Sequence, residues 1–202
     1  MTRRLTYFVA VTLDGFIASP DGDFDRFVLE GDHMAAITAL YPDALPTHLH
    51  AMASVSPTGT VFDTVVMGWN TYAVGLAEGI TSPYNHLRQY VFSSRNRSVG
   101  NDVILIQGNP VETVRALKAE VGGSDIWLCG GGQLAATLID EIDALVLKLH
   151  PVTFGAGIPI FASGYEPRRW EVVDTILYES GVSLITMQQP NKPSTQTSLG
   201  TT

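Results

Sequence analysis

Three consecutive glycines, Gly130, Gly131 and Gly132, separate an apolar run at 126–129 from a helical pattern at 133–139. Glycine lets a backbone come close to a ligand, and the first turn of a helix offers unpaired N–H groups and the positive end of its dipole. Together these suit a pyrophosphate. The spacing is not that of the GxGxxG fingerprint, and no acidic residue follows about 20 positions later at the end of a next strand to hold a ribose. A tight turn is the plain alternative. The pattern recurs at 65–72, where a strand delivers Gly68 and then Trp69, Asn70, Thr71 and Tyr72 at a helix start. Asn70 and Thr71 can cap that helix or hold a phosphate oxygen. A third case is YVFSSR, which places Ser93, Ser94 and Arg95 just past a strand end. Hydroxyls and a guanidinium there suit a phosphate, and an ordinary turn with a solvated Arg also accounts for them. What the three share is position: each lies just beyond the carboxyl end of a strand, where open α/β sheets bind ligands.

Acid–base candidates lie elsewhere. Asp14, Asp21, Asp23 and Asp25 fall in a Gly- and Pro-containing stretch, where acidic residues are chiefly turn formers. Asp23 and Asp25 precede an apolar helical pattern and can direct a carboxyl into a cleft. Burial there raises the carboxyl pKa, as a proton donor to an unsaturated C=N ring requires. Lys148 interrupts the apolar strand LVLKLH and shares a face with Val146 and His150. It either snorkels at an edge or meets an anionic part of a substrate; with Asp14 it is the candidate substrate contact.

The elements that must hold these residues alternate. Strands are expected at 5–12, 61–67, 90–93, 103–106, 126–129 and 145–149, from their β-branched and aromatic content. Residues 27–54 read as helix divided by Pro42 and Pro46. The clearest helix starts at a capping Asn109, with Pro110 in its first turn, Glu112 three residues after the cap, an apolar stripe at Val114, Leu117 and Val121, and Gly122 at its end. Residues 170–175 and 176–188 read as paired strands. This order predicts an α/β fold with a mixed sheet and helices on its faces, as a single domain over 1–189. The stretch 190–202 has no apolar period and is expected to be a disordered tail.

Composition excludes several classes. A net charge of −8, from 20 acidic and 12 basic residues with no Lys/Arg cluster, gives a nucleic-acid backbone nothing to attract it. The single cysteine, Cys129, forms no internal disulfide and sits in an apolar run as a small buried thiol. The five histidines show no metal-ligand spacing. The amino-terminal apolar stretch carries Tyr and Thr and runs into Asp14-Gly15 without a small-residue cleavage site, so it reads as a strand. A cytoplasmic protein without a membrane span is expected.

At this point the motifs resemble a known family. AVTLDGFIA, VVMGWNTY, YVFSSR and IWLCGGGQLAATLI, in that order, are similar to the ordered motifs of dihydrofolate reductases and of the RibD C-terminal domain, the reductase half of the riboflavin-pathway deaminase–reductase. LHPVTFGAGIPIF is closer to the riboflavin branch. The resemblance implies a three-layer α/β/α sandwich on a mainly parallel sheet, a homodimer, and NADPH as hydride donor to a pterin-like or ribosylamino-pyrimidine-like heterocycle. It implies that Ala10 and Ile17 hold the nicotinamide amide through backbone groups. Gly68, Asn70 and Thr71, with Ser93, Ser94 and Arg95, would meet the pyrophosphate and adenosine side. Gly130, Gly131, Gly132, Gln133 and Leu134 would cradle the pyrophosphate. Asp23, then Asp25, aligns with the carboxylate of the folate enzymes. Trp69 stands where the family commonly has the Arg that clamps the 2′-phosphate, which leaves NADH open as donor, with Arg95 as a substitute clamp. A non-catalytic dimeric module that holds a nucleotide or heterocycle is the other reading.

Overall fold

The computed structural model describes residues 3–190, so the expected tail lies outside the described residues apart from its first position. In chain order the elements are β1 (Leu5–Thr12), β2 (Phe16–Ala18), α1 (Asp32–Leu40), short 3-10 turns at Pro42–Ala44 and Thr47–Leu49, and α2 (His50–Ala53). There follow β3 (Phe62–Gly68), α3 (Trp69–Ala77), β4 (Arg88–Phe92), β5 (Val103–Ile106), α4 (Pro110–Ala119), β6 (Asp125–Gly130) and α5 (Gly132–Thr137). The chain ends in β7 (Ala144–His150), β8 (Ile158–Pro159), β9 (Glu171–Leu177) and β10 (Ser183–Gln188).

Eight strands form one sheet in the order β5-β4-β3-β6-β1-β7-β10-β9. The six from β5 to β7 run parallel, and the β9–β10 hairpin is added with β10 antiparallel to β7. Parallel strands need covered faces, and the alternation of side chains supplies two apolar layers. Leu5, Tyr7 and Val9 of β1 pack with Val114 and Leu117 of α4 and with Leu134 and Leu138 at α5. Phe8 faces the other way, toward Ile37 of α1, Tyr72 of α3, Phe62, Trp127 and Val146. The result is a three-layer α/β/α sandwich.

The expectations for β1 and β5 hold, and α4 forms from its expected start, but it ends at Ala119, so Val121, expected on its apolar stripe, lies past the helix and is fully exposed. Asn109 accepts a hydrogen bond from the Val111 amide at 3.0 Å, and Pro110 opens the helix. Three differences bear on the site. The helix expected from residue 27 begins only at Asp32, because 19–31 forms turns in which Ser19 N–H donates to Asp23 O and Gly22 N–H to Ser19 O. The strand expected over 176–188 is broken by a turn at 178–182, where Gly181 takes a positive φ of 82° and Tyr178 N–H donates to Val182 O at 3.0 Å. A small antiparallel ribbon of β2 and β8 folds over the carboxyl edge of the sheet.

Candidate active site

Because the strands are parallel, β1, β3, β4, β6 and β7 end along one edge. Register sets Gly68 beside Phe92 and Met67 beside Gly130, so all three phosphate-suited segments emerge side by side. Packing then closes a corner. A methyl on Gly130 would stand 3.4 Å from Thr71 Oγ1, one on Gly131 3.5 Å from the same oxygen, and one on Gly68 3.7 Å from the Gly131 amide nitrogen. The Gly130–Gly131 peptide is cis, and Gly130 has a φ of 149°, a conformation side chains rarely adopt. Gly68 and Gly131 are the N-caps of α3 and α5, and neither helix has a side-chain cap. Capping therefore does not explain Asn70 or Thr71. Asn70 is exposed, while Thr71 presents its hydroxyl to the glycines.

The third glycine has a different reason. A methyl on Gly132 would fall against the Pro159 carbonyl oxygen and within 3.4 Å of Ala162 N, and Ala162 N–H donates to Gly132 O at 3.0 Å. Gly132 is small so that the β8 segment can dock. Gln133 is exposed in the first turn of α5, and Leu134 is buried in the core beneath it. On the other flank, the Ser93 hydroxyl donates to Arg95 O at 2.9 Å and accepts from Arg95 N–H at 3.1 Å, closing a tight turn with Ser94 and Arg95 exposed. Sequence reasoning missed Arg97, whose guanidinium lies 4.8 Å over the Trp69 ring. Trp69 thus carries a stacked guanidinium at the start of α3.

A second feature lies between β1 and β6. Their pairing stops at Tyr7–Leu128, whereas β1 stays paired with β7 through Thr12–His150. The Phe8 carbonyl accepts from Trp127 Nε1 at 3.0 Å, on the β6 side. Alternation turns the Ala10 backbone toward that same side, past the last β1–β6 pair. This is the geometry a backbone needs to hold an amide. Ile17 is half-buried on β2 and packs against the α4–α5 layer.

On the opposite sheet face, Lys148 is cross-strand neighbour of Ala10, and its Nζ lies 4.5 Å from the centre of the Phe8 ring. Tyr41 stacks on Phe8 at 4.5 Å, Trp127 meets it edge-on at 6.3 Å, and Tyr84 meets Trp127 at 4.9 Å. Burial pushes the Lys148 ammonium below its ordinary pKa, raises the Cys129 thiol to about 11, and raises Tyr84 well above its usual value. At the strand end, His150 accepts from Val28 N–H through Nδ1 at 3.2 Å, which places its proton on Nε2. Burial, with Lys148 and His33 adding repulsion, lowers its pKa to about 4. His33 is buried with Nε2 3.0 Å from Val28 O and Nδ1 without a partner.

The carboxylates expected to do chemistry are placed otherwise. Asp23 is exposed in the 19–31 loop, and Asp25 is exposed beside Arg26 at 3.6 Å. Neither carboxyl is turned into a cleft, because the helix that would have directed them inward starts at Asp32. The Asp14 carboxylate accepts from Thr12 Oγ1 at 2.6 Å, Phe154 N–H at 3.1 Å and Gly155 N–H at 2.7 Å. These bonds hold its pKa below the usual carboxylate range, the Thr12 hydroxyl foremost. Both oxygens tie the β1–β2 turn to the 152–155 loop, which is a scaffold role rather than a substrate contact.

The sheet order, the two helical layers and the glycine corner at the carboxyl edge define a dihydrofolate-reductase-like α/β fold. The RibD C-terminal domain model matches residues 3–184, and the chain belongs to that family. It is 32% identical over 187 residues to the uncharacterized protein YyaP of Bacillus subtilis (strain 168), covering 89% of this chain and 92% of that one. Identity to YwjB of the same strain is 30% over 166 residues, covering 80% and 84%. Among solved structures, a protein of Shewanella sp. PV-4 attributed to riboflavin biosynthesis shares the fold with a TM-score of 0.68 at 21% identity, covering 94% of this chain and 99% of that one. The deaminase/5-amino-6-(5-phosphoribosylamino)uracil reductase of Thermotoga maritima does so with a TM-score of 0.60 at 17% identity, covering 94% of this chain and 57% of that one.

Proposed function

We propose that this chain is an NAD(P)H-dependent reductase that passes hydride to a pterin-like or ribosylamino-pyrimidine-like heterocycle. The observation that carries the reading is the corner in which methyls on Gly130 and Gly131 would meet Thr71 Oγ1 at 3.4 and 3.5 Å and one on Gly68 would meet the Gly131 nitrogen at 3.7 Å. The groups at hand fit a dinucleotide. The backbone at Gly130, Gly131, Gln133 and Leu134 and the Thr71 hydroxyl would hold the pyrophosphate. Gly68 would give it room, and Asn70, Ser93, Ser94 and Arg95, with Arg97 on Trp69, would line the adenosine side. Ala10 and Ile17 would hold the nicotinamide amide. When bound, the reduced nicotinamide supplies the hydride; the chain's part is to place its ring beside β1 and exclude water. Gly132 serves that reading indirectly, by letting β8 close over the edge.

The test is thermal melting with NADPH and NADH added separately. A ligand at about 100 times its Kd stabilises by roughly 2.7 kcal/mol. A shift with either supports the reading, and no shift with both refutes it. The exposure of Asp23 and Asp25 favours a second reading, a binding module without turnover. Dinucleotide binding without NADPH oxidation across pterins, flavin precursors and quinones would select it. A homodimer accords with β9, an edge strand that exposes Val172, Val173 and Leu177; sedimentation velocity decides it.

A further inference from the structure

The hydrogen bonds of the β1–β2 turn meet on one side chain. Thr12, the last residue of β1, is 1% exposed, so its hydroxyl finds no bulk water. That hydroxyl donates to Asp14 Oδ1 at 2.6 Å and accepts from Phe16 N–H at 2.9 Å, while the Thr12 carbonyl accepts from Gly15 N–H at 3.1 Å. Asp14 accepts in turn from the Phe154 and Gly155 amides, and Gly15 O accepts from Ile160 N–H at 2.9 Å. The turn is therefore fixed from within by Thr12 and from outside by the 152–160 segment. A threonine at a strand end suits the strand, but valine would do so too and would bury no polar atom. What the hydroxyl adds is the direction in which β2 leaves β1. Without it, the Phe16 amide and the Asp14 carboxylate each lose a partner, and the two strands are free to change their separation. Ala10 and Ile17 stand on either side of this turn.

We propose that Thr12, with Asp14 as the acceptor that orients its hydroxyl, is a positioning residue for the nicotinamide end of the dinucleotide. It touches no cofactor atom; it holds the backbones of Ala10 and Ile17 at the separation that grips the nicotinamide amide. This rests on the reductase reading above and adds to it the residue that sets one end of the site. The effect is confined to that end, because the corner of Gly68, Thr71, Gly130 and Gly131 belongs to the β3–α3 and β6–α5 junctions.

The test compares titrations of the whole dinucleotide with those of its adenosine half: NADPH against 2′,5′-ADP, or NADH against ADP should the wild type prefer NADH. Thr12→Val is expected to weaken the dinucleotide about tenfold or more, the scale of one to two lost hydrogen bonds, and to leave the adenosine half within about twofold of wild type. Thr12→Ser, which keeps the hydroxyl, is expected to recover most of the loss. Asp14→Ala removes the acceptor at an exposed position, where folding is not at risk, and should give the same split with a smaller amplitude; it decides the matter should Thr12→Val fail to fold. Wild-type dinucleotide affinity in these variants, equal weakening of the dinucleotide and its adenosine half, or a Thr12→Ser protein as weak as Thr12→Val each overturns the proposal while the reductase reading stands. Failure of the wild type to bind either dinucleotide refutes the reductase reading, and the proposal with it.

Discussion

The three glycines of the 130–132 run should separate sharply under single-methyl substitution. Gly131 has φ −96° and ψ −172°, an extended conformation open to any residue, and an added methyl would have only Thr71 Oγ1 at 3.5 Å for a neighbour. Nothing in the fold requires glycine there. Gly131→Ala should change stability by no more than about 1 kcal/mol. If the corner holds phosphates, that same methyl occupies ligand space, and NADPH affinity should fall about tenfold or more, equivalent to about 1.4 kcal/mol. Gly132→Ala should do the reverse. Its methyl is driven into the Pro159 carbonyl and lies 3.3 Å from the carbonyl carbon, so the β8 segment must move. Overpacking of this kind costs about 1–3 kcal/mol. In a domain of this size that lowers the melting temperature by roughly 2–12 °C. Melting curves and NADPH titrations of the two variants side by side make the comparison. Wild-type NADPH affinity in Gly131→Ala, or wild-type melting in Gly132→Ala, would refute the assignment of separate roles.

His150 is depressed to about 4 in the folded chain from an ordinary 6.5, so the unfolded state binds more protons between those values. Stability should be fully present above pH about 6.5 and decline by up to about 3 kcal/mol as pH falls to about 4; urea midpoints against pH measure it, and His150→Asn should flatten the slope. Arg97→Ala should weaken NADPH more than NADH in fluorescence titrations, and more than Arg95→Ala does, because only Arg97 is stacked on Trp69; equal losses for the two dinucleotides would remove it from the 2′-phosphate. Arg3 is buried against Asp63, Glu120, Thr64 Oγ1 and the Ser124 carbonyl. Arg3→Met should cost roughly 2–4 kcal/mol in chemical denaturation, less than a fully buried pair because Asp63 and Glu120 keep contact with solvent.

Much of the scaffold is written in local pattern. β1 and β5 are continuous apolar runs, and α4 announces itself through Asn109, Pro110 and the Val114–Leu117 stripe, each a signal complete within a few residues. The glycine corner was legible for the same reason: Gly68 and Gly131 each sit where a strand hands over to a helix. What escaped depends on distant pairing. β2 and β8 have three and two residues, too short for any period, and exist because Gly157 and Gly132 allow close backbone approach. Asp14 looked available because its partners, Phe154 and Gly155, are far along the chain. Asp23 and Asp25 looked like a helix entry because Phe27 and Val28 are apolar, yet Phe27 is buried against His150 and Phe154 from a loop. The setting of Lys148 likewise arises only when β7 is laid beside β1 and Phe8 comes beneath the ammonium.

The most direct test is a crystal structure of the protein with NADP+ bound. The pyrophosphate should lie against the Gly130–Gly131 backbone within hydrogen-bonding distance of Thr71 Oγ1, with the nicotinamide amide on the Ala10 backbone. A dinucleotide bound away from that corner, or a saturated crystal in which the corner holds none, would contradict the account.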